Sequence, residues 1–252
     1  MTDRCDALIE IITQAARLLS AETGHEAHVS AKAVNDFVTD SDRKVEEFIR
    51  SGILSRFPDD GFLGEESGRE SSRDGFVWIV DPVDGTVNFM NRFPQYSISI
   101  ALEKDGQLLA GAVCNPYFNE LFWAKKGEGA YLNGKRIHAQ SALPLSQTLA
   151  LVVPPHRKRT YFDAFWEKEK YIYSLVSDTR SIGSAAMSLC HVAAGRCSLY
   201  YEWFLHIYDI AAGLIICSEA GCRYTLSENE DGISVLCFSR AYDGEIDEGK
   251  LI

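Results

Sequence analysis

The sequence has no apolar run near the ~20 residues that a membrane-spanning helix needs. Its opening segment, MTDRCDALIEIITQAARLL, lacks the long uncharged core of a secretory signal. Basic charge is in deficit: 25 Lys and Arg stand against 36 Asp and Glu, a formal net charge of −11. Such a surface repels nucleic acid phosphates and anionic membranes. The seven cysteines are odd in number and no pair has C-x-x-C spacing, which argues for reduced, mostly buried thiols and against a disulfide framework or a zinc motif. The six histidines show no metal or triad spacing; His191 and His206 read as packing or rim residues. No serine lies in a G-x-S-x-G elbow, and the acidic ladder of an EF-hand is missing. GEGAYLNG has glycines but no strand-to-helix switch, so it reads as hairpin turns. These absences leave the expectation of a cytoplasmic protein with no membrane or nucleic acid partner.

What is present is a chain that is 46% hydrophobic and ordinary for a globular core. CDALIEIITQAARLLS and SDRKVEEFIRSGILSRF carry apolar residues at helical spacing, with Ser41 the expected N-cap of the second. A short strand near Phe62 and Leu63 precedes the uncharged strand FVWIV. From Tyr96 the period changes to two. Turn signals at Asp105-Gly106 and Asn133-Gly134 predict an antiparallel meander. After the strand LALVV, a helix around TYFDAFWEKEK, a helix in SAAMSLCHVAAG, the strand CSLYYEWF and the helix YDIAAGLIICSEAG alternate. The strands CRYTL and ISVLCF close the chain, with SENEDG as the loop between them. The pattern predicts α/β layering in two halves without a flexible joint, 1–145 and 146–252, forming one compact unit. RKRT, Arg157 to Thr160, reads as a basic patch on a solvated loop.

Acids gather at the ends of these elements: Asp36, Asp40 and Asp42 in NDFVTDSD, Glu65 and Glu66 in LGEES, Asp81 and Asp84 in DPVDGT, and Asp209 in YDIAAG. DPVDGT is the most telling, because its two carboxylates sit at the mouth of a buried strand. Two carboxylates within ~4 Å repel by about 4 kcal/mol at an effective dielectric of ~20. No Lys or Arg adjoins them, so a cation is expected, and hard oxygen donors without His or Cys suit Mg²⁺. Gly85 and Thr86 follow at a predicted helix start, where free N–H groups and a hydroxyl favour a phosphate and a water. Metal acids beside a phosphate cradle point to metal-assisted hydrolysis of a phosphate ester.

The same residues resemble the inositol monophosphatase family of Mg²⁺-dependent, lithium-sensitive sugar phosphatases. DPVDGTVNF matches the family's first signature, DP-[apolar]-DGT-x-NF, and YDIAAG its second, WD-x-AAG. LGEES and NDFVTDSD match two further blocks in the family's order, and the likeness runs from about Lys32 to Gly221. Tyr208 stands where the family usually has Trp, and Val87 where a polar residue is common.

The resemblance implies an alternating α-β-α-β-α sandwich, a homodimer, and two or three Mg²⁺ ions. By position it implies Glu65, Asp81, Asp84, Asp209 and the Val83 carbonyl as metal ligands. Asp42 and Thr86 would serve the attacking water together with Glu65. Asp84, Gly85, Thr86 and Asp209 would meet the phosphate end, and Gly183, Ser184, Ala185 and Glu202 the sugar. The expected activity is hydrolysis of a polyol phosphate by in-line attack of water, with inositol monophosphate the favoured ester. The alternatives are a phosphatase for fructose 1,6-bisphosphate, histidinol phosphate or a 3′-phosphonucleotide, or an interaction protein that keeps the fold in a regulatory role.

Overall fold

The computed structural model describes residues 2–22, 29–33 and 36–252. Asn35 lies outside them, so the NDFVTDSD block is described from Asp36 onward. The chain opens with α1 (Thr2–Glu22), the hairpin β1 (Val29–Ala33) and β2 (Asp36–Thr39), and α2 (Asp40–Leu54). The N-cap of α2 is Thr39 and not Ser41, because Asp42 reaches back to accept the Thr39 backbone N–H at 2.9 Å.

β3 (Gly61–Gly64), β4 (Gly68–Glu70) and β5 (Phe76–Asp84) follow, then the short helix α3 (Thr86–Met90). The meander is β6 (Ser97–Lys104), β7 (Gln107–Asn115), β8 (Glu120–Lys125), β9 (Gly129–Leu132) and β10 (Lys135–Ile137). These strands form one eight-stranded sheet in the order β10-β9-β8-β7-β6-β5-β3-β4. The C-terminal part supplies β11 (Leu149–Val153), α4 (Phe162–Leu175), β12 (Asp178–Arg180), α5 (Ala185–Ala193), β13 (Leu199–Leu205), α6 (Ile207–Ala220), β14 (Cys222–Asn229) and β15 (Gly232–Ser239). Its five strands make a second sheet, β12-β11-β13-β15-β14.

Side-chain alternation along the strands sets the layers. In β5, Trp78 and Val80 pack with α1 and α2, while Val77 and Ile79 face α5 and α6. In β13, Tyr200 joins the α5 and α6 layer, and Leu199 and Tyr201 pack with Phe165 of α4 on the far side. The order is therefore helices, sheet, helices, sheet, helix, as the resemblance implied. Gly111 of β7 permits the close approach: a Cβ there would lie 2.8 Å from the Ala212 Cα of α6.

β14 runs to Asn229, through the first half of the segment expected to be loop. It is an edge strand, so its polar residues pair with β15 on one side and meet water on the other. All seven cysteines are free thiols, six of them buried. No helix among the described residues is long and apolar enough to cross a membrane.

Candidate active site

β5 is buried at every position and carries the two acids of DPVDGT at its end. Its pairing with β6 slips between Asp81 and Asp84, which lets the strand turn its end toward the second sheet. Asp81 Oδ1 accepts the Val83 N–H at 3.0 Å. Asp84 is held by the start of α5: its Oδ1 accepts the Ala185 N–H at 3.0 Å and its Oδ2 the Ala186 N–H at 3.1 Å. The hydroxyls of Ser97 and Ser184 donate to the same Oδ2.

Gly85 then takes φ +87°, and a Cβ there would stand 2.9 Å from the Gln95 carbonyl oxygen. Both facts require glycine at the turn into α3. Thr86 Oγ1 lies 3.0 Å from the Val83 carbonyl oxygen and 3.3 Å from Asp42 Oδ1. A single hydroxyl proton serves one of these acceptors at a time. Burial pushes the Asp42 carboxyl up to about 6, against the hydrogen bonds from Thr39.

Glu65 leaves β3 with its N–H on the Val80 carbonyl at 3.2 Å. The turn behind it is fixed by Glu46, buried in α2, whose carboxylate accepts the N–H groups of Glu66 at 2.9 Å and Ser67 at 2.7 Å. Asp209, in the first turn of α6, accepts the His206 N–H at 2.6 Å. Glu202, near the end of β13, accepts the Tyr200 hydroxyl at 2.6 Å. Residues from five distant stretches thereby border one cavity of about 510 Å³. Glu65, Asp81, Val83, Asp84, Gly85, Thr86, Gly183, Ala185, Glu202, Leu205 and Asp209 are all part of its lining. Asp42 and Ser184 stand behind this lining, on Thr86 and Asp84 respectively.

The cavity is electrostatically unbalanced. Burial raises Asp81 well above the usual carboxylate range, and the charges of Glu65, Asp84, Asp209 and Asp42 add to it. Burial likewise raises Asp84, opposed by its four hydrogen bonds. Asp209 is pushed up to about 7 and Glu202 up to about 8, burial leading in both, with Arg157 opposing.

A buried group of carboxylates that hold each other's protons on is one that a multivalent cation relieves. The donors are all hard oxygens, which fits a divalent ion of the Mg²⁺ type. They are not drawn tightly together. The one trio of His, Cys, Asp or Glu donor atoms within 4.8 Å of one another, among the described residues, is Cys217, Cys222 and Cys237. Those thiols are buried at the far end of α6, and three sulfurs without a fourth donor fall short of a structural zinc site. Asp81, Asp84 and Asp209 are instead turned onto N–H and O–H donors of the fold, as mutual repulsion demands.

Glu65, Asp81, Asp84, Asp209, Glu202, Gly85, Thr86, Gly183 and Ala185 thus line this cavity, with Asp42 and Ser184 directly behind it, whereas Asp40 and Glu66 are not part of its lining. Three contributions went unread. Glu46 is a charge on the buried stripe of α2, four residues after Asp42, and that placement was its only signal. Asn88, inside DPVDGTVNF, donates to the carbonyls of Ile182 at 2.7 Å and Gly183 at 3.2 Å, fixing the turn before α5. The RKRT segment is not simply a solvated loop, because Arg157 and Arg159 line the cavity together with His156.

Residues 2–243 match the model of the inositol monophosphatase family. The chain is 39% identical over 222 residues to an inositol-1-monophosphatase of Mesorhizobium japonicum, covering 85% of this chain and 84% of the relative. It is 39% identical over 207 residues to a fructose-1,6-bisphosphatase/inositol-1-monophosphatase of Aquifex aeolicus, covering 82% and 78%. Among solved structures, it superimposes on the extragenic suppressor protein suhB of Bartonella henselae with a TM-score of 0.90 at 32% identity, covering 98% and 97%.

Proposed function

The chain belongs to the inositol monophosphatase family, and on that premise we propose that it is a Mg²⁺-dependent phosphomonoesterase acting on a polyol phosphate, inositol monophosphate first. The observation that carries this reading is the cavity itself. Glu65, Asp81, Asp84 and Asp209 border it together with Gly85, Thr86 and Glu202, and burial with the charges of the neighbouring carboxylates raises the proton affinity of Asp81.

In this reading Glu65, Asp81, Asp84, Asp209 and the Val83 carbonyl hold two or three ions. Bound there, Mg²⁺ supplies positive charge for the phosphoryl oxygens and the leaving alkoxide, and makes a nearby water more acidic. The chain's own part is placement and proton transfer. Asp42, as carboxylate, draws the Thr86 hydroxyl proton toward itself, which leaves Thr86 Oγ1 facing the cavity as an acceptor for water. Glu65 takes the water's proton as that water attacks phosphorus opposite the sugar oxygen. Gly85 and Thr86 meet the phosphate, and Gly183, Ser184 and Ala185 border the leaving polyol. Glu202 accepts hydrogen bonds from its hydroxyls in the ionised state.

We further propose a cytoplasmic homodimer. Its support is a patch of exposed aromatics: Phe93, Tyr117 and Phe118 are 50%, 62% and 48% accessible. Asn115 gathers them by donating to the Pro94 carbonyl and accepting the N–H groups of Tyr117 and Phe118. A monomer by sedimentation at micromolar concentration would remove that part. The activity is tested with a panel of phosphate esters in Mg²⁺: inositol 1-phosphate, histidinol phosphate, a 3′-phosphonucleotide and p-nitrophenyl phosphate. Turnover highest on the inositol ester supports the reading. A chain inert on all of them would favour an interaction protein that keeps the fold.

A further inference from the structure

We propose that Cys217, Cys222 and Cys237 form a second ligand site, a buried group of three thiols that takes one trivalent thiophilic ion of the arsenite class. The site is separate from the acid-lined cavity and does not rest on the phosphatase reading.

Three elements bring the thiols together. Cys217 lies in the last turn of α6. Gly221 then takes φ +93° and reverses the chain, so that Cys222 opens β14. Cys237 sits on β15 opposite Tyr224, two places along from Ser239, the partner of Cys222. In an antiparallel pair that diagonal puts Cys222 and Cys237 on the same face of the sheet. It is the face that packs on α6, since all three cysteines belong to the core layer shared with α5 and α6. Their sulfurs lie within 4.8 Å of one another. Bonds of about 2.3 Å to one ion, the length of a metal–thiolate bond, set three sulfurs about 3.5 to 4 Å apart. None of the other four cysteines joins such a trio among the described residues.

The donor set selects the ion. Soft sulfurs favour a soft ion over Mg²⁺. A structural zinc ion takes four donors, and the trio offers three. Charge separates the remaining ions. Cys217, Cys222 and Cys237 are 0%, 2% and 0% exposed, and a net charge is costly at that depth. Three thiolates around a monovalent or divalent ion leave the site negative, whereas around As(III) they leave it neutral. The step balances without an oxidant. In As(OH)₃ three As–O bonds break, three As–S bonds form, and each thiol proton leaves with a hydroxide as water. Arsenic keeps a lone pair where a fourth donor would stand. The contact given up is weak: Cys217 Sγ donates to the Leu189 carbonyl at 3.1 Å.

Entry is by the sheet edge. Cys222 is the first residue of an edge strand, and a Cβ on the neighbouring Gly221 would meet nothing within 4 Å. Fraying of that strand end exposes the sulfur without global unfolding. Once bound, the ion ties the C-terminal end of α6 to both strands of the β14–β15 pair.

The experiment adds arsenite to the reduced, unaltered chain. We expect one arsenic per chain, with a mass gain of one arsenic less three hydrogens, and an X-ray absorption spectrum with three sulfur neighbours and no oxygen. Arsenite at about 100 times its Kd should raise Tm by about 5 °C. Cys222→Ala and Cys237→Ala should each lose the three-sulfur signature, and Cys5→Ser should keep it. Oxygen neighbours on arsenic in the unaltered chain, uptake that both alanine variants leave unchanged, or a Tm that falls with arsenite overturns the site. If an alanine variant does not fold, the absorption spectrum and Tm of the unaltered chain decide alone. Zn²⁺ or Cu⁺ held more tightly than arsenite overturns the choice of ion, and the proposal with it.

Discussion

Asp84 Oδ1 accepts the Ala185 N–H at 3.0 Å, and this bond ties the end of β5 to the start of α5 across 101 residues. Asp84 is therefore a structural acceptor as well as a proposed metal ligand, and it differs in this from Asp81. Asp84→Ala would strand two buried N–H groups and two hydroxyls, lowering stability by about 2 kcal/mol net of the charge removed. Asp81→Asn keeps an acceptor for Val83 and removes a charge that four neighbouring carboxylates oppose. Both variants should lose turnover. In metal-free protein, Tm should fall for Asp84→Ala and rise for Asp81→Asn. Equal shifts in both would contradict the different roles assigned here.

Acidity gives a second expectation. Asp209 and Glu202 titrate near about 7 and about 8 in the folded chain, above the ~4 of an unfolded carboxylate. The folded state thus binds more protons than the unfolded one across that interval, and stability must fall as pH rises through it. Burial lowers His191 to about 4, so its opposing contribution fades once pH passes the ~6.5 of an unfolded imidazole. In excess chelator, Tm should therefore decline from about pH 7 to 8, and go on falling above that as the thiols of the unfolded chain ionise while burial keeps Cys114, Cys190 and Cys197 protonated in the folded one. Glu202→Gln should flatten the upper part of that decline. A Tm that climbs over this range in both proteins would refute the burial of ionisable acids described here.

The Glu46 carboxylate should matter through Glu65. Glu46→Gln retains one acceptor for the turn but sets an amide NH₂ against the other N–H, loosening the segment that carries Glu65. Half-saturation by Mg²⁺ should rise about tenfold while the fold persists, an effect in the range of positioning groups around metal ligands. Metal titration of turnover, with a thermal melt as control, checks it. An unchanged metal requirement would make Glu46 a purely structural cap.

What the sequence disclosed follows how local the relevant physics is. DPVDGT was readable because a buried strand, a left-handed glycine and a helix start are written in consecutive residues. The meander was readable from Asp105-Gly106 and Asn133-Gly134, which adopt the turns their types favour. β14 was cut short because Ser227, Glu228 and Asn229 carry loop chemistry, while an edge position tolerates them. Glu46, Arg157 and Arg159 acquire meaning only when α2 meets the turn after β3 and when β11 lies beside β13. No pattern within one segment encodes those meetings. The grouping of Glu65 and Asp209 with Asp81 came from family resemblance, and the cavity supplies the geometry.

Thr86→Val should lower kcat far more than it changes KM. The hydroxyl is assigned to the attacking water, an interaction used chiefly in the transition state. The variant also deprives Asp42 of a donor at 3.3 Å, a long contact whose loss should change Tm little. Steady-state kinetics on inositol 1-phosphate separate the cases. A raised KM with intact kcat would make Thr86 a group that binds the ground state instead.

The most direct test of the central claim is phosphate release from inositol 1-phosphate as Mg²⁺ is titrated into chelator-treated protein, for the unaltered chain and for Asp209→Asn. The account predicts no release in chelator, saturable activation by Mg²⁺, and activation displaced to much higher Mg²⁺ or abolished in Asp209→Asn. Full-rate release in excess chelator would contradict it.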